Sequence, residues 1–190
     1  MRGPILNIPN LISLTRIPLA FAACLLLVRN SLIPLLVVIF SGVVSDFLDG
    51  RIARKTDSVS EWGKILDPLA DKIAIGAFII TLSFLKAVPL WFVILFLSRD
   101  LLIAAGGIYV TKRLGSPPSS NIWGKLSSLV TSVYLTVAAV GYLLHSHLWP
   151  DDLIFAGLDP LGLLSLGFVL LSLFVYSSES VTLLRNHDPD

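Results

Sequence analysis

The stretch DFLDGRIARKTDSVSEWGKILDPLAD, residues 46–71 of a 190-residue chain, joins two long apolar runs and decides how the chain is organised. Five residues of its first half are spaced at i, i+3, i+4, i+7 and i+8, and residues at these spacings lie on one face of a helix. The residues on that face are Asp46, Asp49, Gly50, Ala53 and Arg54. The stretch therefore predicts a helix that carries an aspartate pair and a basic group on one side.

Asp67 and Asp71 form a second pair at i, i+4, which predicts two more carboxylates on one stripe of the following helix. Four like charges gathered beside a membrane need cations to neutralise them. Carboxylate ligands suit hard cations such as Mg²⁺ or Mn²⁺, and no cysteine cluster or H-E-x-x-H pattern argues for zinc. We therefore predict a site for two divalent cations, an arrangement that clamps both sides of a phosphoryl displacement.

The composition is that of a membrane protein, with 55% hydrophobic residues and a mean hydropathy of +0.84. Apolar runs close to the length of a membrane-spanning helix follow one another and leave no room for a separate soluble domain. We predict a single all-α, polytopic membrane domain over residues 1–190. Its six predicted spans are Leu11–Val28, Leu32–Leu48, Leu66–Leu85, Leu90–Val110, Leu126–Leu144 and Leu161–Tyr176.

Charge distribution predicts the orientation of these spans. If both termini are cytoplasmic, most Lys and Arg residues lie on the cytoplasmic side, and the opposite side keeps only Arg29 and Lys86. This excess of positive charge predicts that residues 46–71 face the cytoplasm. We expect the chain in the cell (inner) membrane.

Local signals predict where several helices begin and end. The second helix should run past the hydrocarbon edge to about Lys55, and the third should open at Leu66 or Asp67, since proline at position 68 suits a first turn. Asn10 is a candidate cap for a helix that begins at Leu11. The stretch TKRLGSPPSSNIWGK, residues 111–125, is predicted to be an irregular loop, and Gly106-Gly107 should let neighbouring helices approach closely.

Basic residues inside or beside the spans have two interpretations each. Arg16 is either an interfacial arginine that extends its head to water or a ligand-binding residue. Arg99 either forms a structural ion pair with Asp100 or binds an anionic substrate. Lys112, Arg113 and Lys125 suit an anionic acceptor, but also the positive-inside bias or contact with anionic lipid headgroups.

The aspartate face also has space for a substrate. Gly50 and Ala53 are small enough to let a substrate approach the helix backbone, and Arg54 is placed to pair with a phosphate. These features predict a diphosphate-bearing substrate at the cytoplasmic membrane surface.

The run Asp46-x2-Asp49-Gly50-x2-Ala53-Arg54-x8-Gly63-x3-Asp67-x3-Asp71 matches every defined position of the CDP-alcohol phosphatidyltransferase signature, so the chain resembles that family. Two further stretches, NIPNLISLTR at residues 7–16 and ILDPLADK at residues 65–72, resemble its phosphatidylglycerophosphate synthase branch. With six predicted spans the similarity covers essentially the whole chain.

The resemblance implies an enzyme that displaces CMP from CDP-diacylglycerol with an alcohol acceptor. By analogy, Asp46, Asp49, Asp67 and Asp71 ligate the two cations, Mg²⁺ or Mn²⁺, and Asp71 is also the general base. The residues expected to contact the CDP group are Gly50, Ala53, Arg54 and Ser60, with Asn10 near the nucleotide. A homodimer and membrane lipid are further implied partners, and no nucleic-acid partner is expected.

The acceptor is open. A phosphorylated alcohol, with glycerol 3-phosphate first, suits the predicted acceptor-binding residues Arg99, Lys112, Arg113 and Lys125. The stretch SRDLLI, residues 98–103, also resembles the cardiolipin synthase branch, whose acceptor is phosphatidylglycerol, and inositol phosphate and serine are further alternatives. A different class is a non-catalytic, cation-binding membrane protein, although the carboxylates cluster at one membrane edge with no continuous polar path through the spans.

Overall fold

A computed structural model describes residues 8–56, 63–115, 121–145 and 154–187, with side chains described at 14–44, 70–115, 121–145 and 154–185. Helices occupy nearly all of these ranges, and an isolated bridge between Phe155 and Leu158 is the β-structure they contain. The helices are α1 Ile8–Val28, α2 Leu32–Thr56, α3 Gly63–Phe84, α4 Leu90–Leu114, α5 Ile122–Leu143 and α6 Pro160–His187. The predicted all-α class is confirmed for this part of the chain.

The outer surfaces of the helices are apolar. Phe40, Phe84 and Phe174 are each at least 70% exposed, which suits a lipid surround and not water. Within the described residues, the helices long and apolar enough to cross a membrane are α4, α5 and the Pro160–Arg185 part of α6, and shorter apolar helical segments lie at Leu14–Val28 and Leu32–Val44. The chain is therefore a membrane protein, while the count of six spans and their orientation stay predictions.

The first and third helices start earlier than predicted, and the second starts at Leu32 as predicted. The prediction that Asn10 caps a helix from Leu11 is wrong, because α1 begins at Ile8 and Asn10 lies inside its first turn. Proline at position 9 allows this earlier start, since a first-turn N–H has no helical partner in any case. The third helix also starts early, at Gly63. The predicted extension of the second helix is confirmed, because α2 continues to Thr56.

The predicted loop at residues 111–125 is shorter than expected because α4 continues through its first residues to Leu114. Gly115 then ends the helix in the left-handed conformation, with φ of 73°, and its N–H donates to the carbonyl of Thr111. Glycine adopts this conformation at little cost, which makes it a common helix terminator. Lys112 and Arg113 therefore lie in the last turn of a helix and not in a loop.

The other end of the predicted loop is helical as well. The side chain of Asn121 accepts a hydrogen bond from the N–H of Trp123 at 3.0 Å, which caps the start of α5. Lys125 consequently lies in the first turn of that helix. The irregular-loop prediction is thus wrong for all three basic residues, because the two helices extend beyond their apolar runs.

The chain divides into two compact units, unit 1 (Met1–Leu85 and Ala139–Ser146) and unit 2 (Lys86–Ala138 and His147–Asp190). In unit 1, α1 packs against both α2 and α3, and Leu27, Leu35 and Ile79 are fully buried. A three-residue connection joins α1 to α2, and Asn30 at its centre adopts a φ of 54°. The short connection makes α1 and α2 neighbours, and the packing of α3 on α1 brings the second aspartate helix to the same bundle.

In unit 2, α4 packs against α6 at a glycine pair. A Cβ added to Gly106 would lie 3.3 Å from the ring of Tyr176, and one added to Gly107 would lie 2.9 Å from its hydroxyl oxygen. Both distances are shorter than ordinary contacts, so the two glycines admit the tyrosine. The prediction that Gly106-Gly107 allows close helix approach is confirmed.

Candidate active site

The first half of the signature lies on one continuous helix. Residues 46–54 all belong to α2, so the spacing of Asp46, Asp49 and Arg54 is that of a helical face, as predicted. Gly50 and Ala53 belong to the same helix, although the side chains of residues 45–56 lie outside the described part. The backbone thus supports the shared face, and the proposed contacts of these five residues with cations or CDP stay predictions.

The second half of the signature lies on α3, which contains both Asp67 and Asp71. Ser60 and the side chain of Asp67 lie outside the described residues. The expected gathering of the two aspartate pairs therefore stays a prediction. Asp71 is described, and its side chain is 47% exposed. A half-exposed carboxylate about two turns inside α3 is accessible to a substrate, as a general base must be.

Arg16 of α1 forms an ion pair with Asp71 of α3, with Nη1 donating to Oδ1. Local spacing did not indicate this contact, because the two residues lie 55 positions apart. The sequence offered one clue, which is that an arginine two turns inside an apolar helix needs a partner for its charge. The pair connects α1 to the signature of the site.

The residues fit a divalent cation in chemistry, while the coordination itself is untested. Asp46, Asp49, Asp67 and Asp71 supply the oxygen donors that Mg²⁺ and Mn²⁺ prefer. Asp71 already accepts a cationic partner, Arg16, as expected of a carboxylate in a strongly anionic region. Among the described side chains no group of three or more His, Cys, Asp or Glu residues is arranged to hold a metal, but three of the four aspartates fall outside that search.

Arg99 lies in unit 2, on α4, and is 6% exposed. Its Nη1 donates to Asp100 at 2.5 Å, and its Nε and Nη2 donate to the hydroxyl of Ser172 on α6 at 2.9 and 2.5 Å. The structure thus contains the ion pair with Asp100 that the sequence offered as one interpretation. Ser172, which sequence reasoning missed, adds a bond between two helices.

The remaining basic candidates, Lys112, Arg113 and Lys125, are exposed. The guanidinium of Arg113 lies 5.8 Å from the centre of the Tyr109 ring, a cation–π distance. Lys112 and Arg113 also lie in the last turn of α4, where positive charge is favoured by the helix dipole. These side chains are accessible to an anionic ligand, and they have a structural reason for their positions as well.

Comparison with known proteins covers most of the chain. A family model described as CDP-alcohol phosphatidyltransferase matches residues 6–176. A CDP-diacylglycerol–glycerol-3-phosphate 3-phosphatidyltransferase of Aquifex aeolicus is 37% identical over 141 residues, which cover 73% of this chain and 77% of that relative.

Cardiolipin synthases are also similar. The CMP-forming cardiolipin synthase of Streptomyces coelicolor is 34% identical over 134 residues, covering 65% of this chain and 60% of the relative. The rat enzyme of the same name is 37% identical over 108 residues, which make up only 36% of its length. The chain is therefore similar to proteins with two different printed activities.

Proposed function

Since the chain belongs to the CDP-alcohol phosphatidyltransferase family, we propose that it transfers the phosphatidyl group of CDP-diacylglycerol to glycerol 3-phosphate and releases CMP. Family membership makes it an enzyme of this class, a membrane transferase of phospholipid biosynthesis. The choice of glycerol 3-phosphate is carried by the Aquifex relative, because that match extends over more than two thirds of both chains.

The proposed reaction begins with the acceptor alcohol. Asp71 takes the proton of the acceptor hydroxyl, and the oxygen attacks the phosphorus that bears diacylglycerol. A new P–O bond forms there, the P–O bond to CMP breaks, and the proton remains on Asp71. Asp46, Asp49, Asp67 and Asp71 would hold two divalent cations, Mg²⁺ or Mn²⁺, which when bound neutralise negative charge on the diphosphate.

The donor is proposed to lie along the signature face of α2. Gly50 and Ala53 carry the smallest side chains of that face, so the diphosphate can approach the helix backbone. Arg54, one turn beyond Gly50, would pair with a phosphate oxygen. Ser60 and Asn10 complete the proposed contacts with the CDP group, and CDP-diacylglycerol as donor is consistent with the reaction of the family.

Four basic residues, Arg99, Lys112, Arg113 and Lys125, are proposed to bind the acceptor phosphate. Lys112, Arg113 and Lys125 are exposed, so an anion in solution can reach them. Arg99 is the fourth proposed contact, and it would have to exchange Ser172 or Asp100 for the acceptor because both hold its guanidinium.

A second candidate function, cardiolipin synthesis from phosphatidylglycerol, is favoured by the similarity to the Streptomyces enzyme and by the stretch at residues 98–103. Its acceptor is a lipid that carries a free glycerol hydroxyl, so the same base chemistry applies. Inositol phosphate and serine are the further acceptors to be tested.

The finer description of the protein in its membrane is proposed as well. We expect six spans, both termini and the signature on the cytoplasmic side of the cell (inner) membrane, and a homodimer surrounded by lipid. The excess of Lys and Arg on the predicted cytoplasmic segments supports the orientation.

An acceptor panel tests the function. The purified full chain is given CDP-diacylglycerol and Mg²⁺ with glycerol 3-phosphate, phosphatidylglycerol, inositol phosphate or serine, and both CMP and the lipid product are measured. We expect CMP release that requires Mg²⁺ and glycerol 3-phosphate. Cardiolipin formed from phosphatidylglycerol would favour the second candidate, and cation binding without CMP release from any acceptor would favour a non-catalytic protein.

A further inference from the structure

The ion pair between Arg16 and Asp71 joins the interior of unit 1 to the signature. The side chain of Arg16 is 16% exposed, whereas that of Asp71 is 47% exposed. One end of the pair therefore lies within the helix packing, and the other end opens outward. An arrangement of this kind holds a reactive group from behind.

Depth in the helix explains why Arg16 needs this partner. It is the ninth residue of α1, about 12 Å along the axis from Ile8 at the rise of an α-helix. An arginine at that depth in an apolar helix is costly unless its charge is met. An interfacial arginine would extend its guanidinium to water, but here the guanidinium contacts a carboxylate on another helix.

On the basis of the function proposed above, we propose that Arg16 is a positioning residue, which fixes the carboxylate of Asp71 for proton transfer from the acceptor. A general base must keep its oxygen within hydrogen-bond reach of the proton that it takes. Asp71 is half exposed, so packing alone restrains its side chain weakly, and the N–H of Arg16 adds a restraint. Arg16 acts through Asp71 and does not itself contact the reacting atoms.

The choice of arginine supports a directional role. Its guanidinium is planar and donates along fixed directions, whereas a lysine ammonium is a point charge on a flexible stem. Charge neutralisation alone would be served equally well by lysine. A lysine would serve positioning only in part, so the variant Arg16→Lys separates charge neutralisation from positioning.

Steady-state kinetics test the proposal first. Arg16→Gln should lower kcat by about 10- to 100-fold, the loss expected when a catalytic group is displaced by a fraction of an ångström to 1 Å, with both KM values changed less than about threefold. Arg16→Lys should recover part of that kcat. Arg29→Gln removes the same charge from the exposed turn that follows α1 and is the matched control, with wild-type kinetics expected.

Two kinetic outcomes would overturn the proposal. A rise in the KM of either substrate with unchanged kcat would make Arg16 a substrate ligand. A kcat that is fully restored by lysine would show that charge alone matters.

A double-mutant cycle tests whether Arg16 acts through Asp71. Arg16→Gln should change the residual rate of Asp71→Asn by less than about twofold, because residues that act as a unit are strongly non-additive. An equal loss of rate in both backgrounds would place the action of Arg16 elsewhere.

Thermal unfolding in detergent with EDTA provides a readout that needs no turnover. Arg16→Asp faces one carboxylate with another and should lower the melting temperature by about 5 °C or more. The exchange Arg16→Asp with Asp71→Arg should recover at least half of that loss, whereas additive losses would contradict the ion pair. Full activity of Asp71→Asn would instead overturn the proposed base role of Asp71, and with it the positioning role of Arg16, and leave the result of the charge exchange intact. The proposed function itself fails only if the wild-type chain releases no CMP with any acceptor.

Discussion

Among the described side chains, Arg16 and Arg99 lie more than two turns inside apolar helices, and their charges are met in different ways. Arg16 in unit 1 contacts a carboxylate on another helix, and that carboxylate, Asp71, is 47% exposed. Arg99 in unit 2 contacts Asp100, its own neighbour in the chain, whose side chain is 20% exposed, and the buried hydroxyl of Ser172.

The pair of Arg16 and Asp71, called here the open pair, has one member that is accessible at the proposed site. The pair of Arg99 and Asp100, the closed pair, lies within the helix packing. All three side-chain nitrogens of Arg99 have described acceptors in unit 2, so its charge is compensated without any substrate. Arg16 instead compensates the charge of Asp71, the signature residue that is proposed to act as the general base. A buried charge with internal partners ties helices together, whereas one with an accessible partner can prepare that partner for reaction.

The largest expected effect comes from removing the accessible member of the open pair. Asp71→Asn should lower kcat for glycerol 3-phosphate by about 10²- to 10⁴-fold, because an amide cannot take the proton of the acceptor. CMP release measures the effect, and Glu179→Gln, a change at an exposed carboxylate of α6, serves as the control with nearly wild-type kcat. If Asp71→Asn turned over at the wild-type rate, the open pair would have no catalytic meaning.

The closed pair should respond in stability. Arg99→Gln should cost about 3–5 kcal/mol, because it breaks a largely buried ion pair by removing the positive charge that faces Asp100. Ser172→Ala keeps both charges and should cost less, about 1–3 kcal/mol. Melting in detergent measures both variants. A normal melting temperature for Arg99→Gln together with a raised KM for glycerol 3-phosphate would show that Arg99 binds the acceptor and does not stabilise the packing. The two arginines would then not differ as described.

Helices and helical faces could be predicted from the sequence, whereas several helix ends could not. The helices were predicted because apolar run length is a local property, and the signature face on α2 was predicted because helical spacing is local too. The ends were missed where capping decides them: Gly115 and Asn121 set the boundaries of α4 and α5, beyond their apolar runs.

Contacts between helices could not be predicted from the sequence, for a different physical reason. Asp100 was predicted as a partner of Arg99 since it is adjacent, but Ser172 lies 73 positions away and was not. Asp71 was likewise not assigned to Arg16, because spacing within one helix does not tell which helix packs against it. Tertiary packing supplies that information.

The packing of α4 on α6 around the closed pair should be less sensitive than the pair itself. Gly107→Ala should cost about 1–3 kcal/mol, because the new Cβ would lie 2.9 Å from the hydroxyl of Tyr176. Combining it with Tyr176→Phe removes that hydroxyl and should recover part of the loss. Gly167→Ala on α6 is the control, since nothing lies within 4 Å of its added Cβ. Equal melting temperatures for the two alanine variants would show that close approach at Gly107 does not stabilise unit 2.

The exposed cations of unit 2 should give the smallest effect, and one of a different kind from Arg99. Lys125→Gln should raise the KM for glycerol 3-phosphate by about threefold and leave the melting temperature unchanged, because exposed charges contribute about 1 kcal/mol or less. The same measurement at increasing salt should show the difference shrink as screening grows. Lys86→Gln removes an exposed cation on the predicted opposite side of the membrane and is the control. If the KM is unaffected while binding to anionic vesicles weakens, Lys125 contacts lipid headgroups, and acceptor recognition must be sought among the other cations of unit 2.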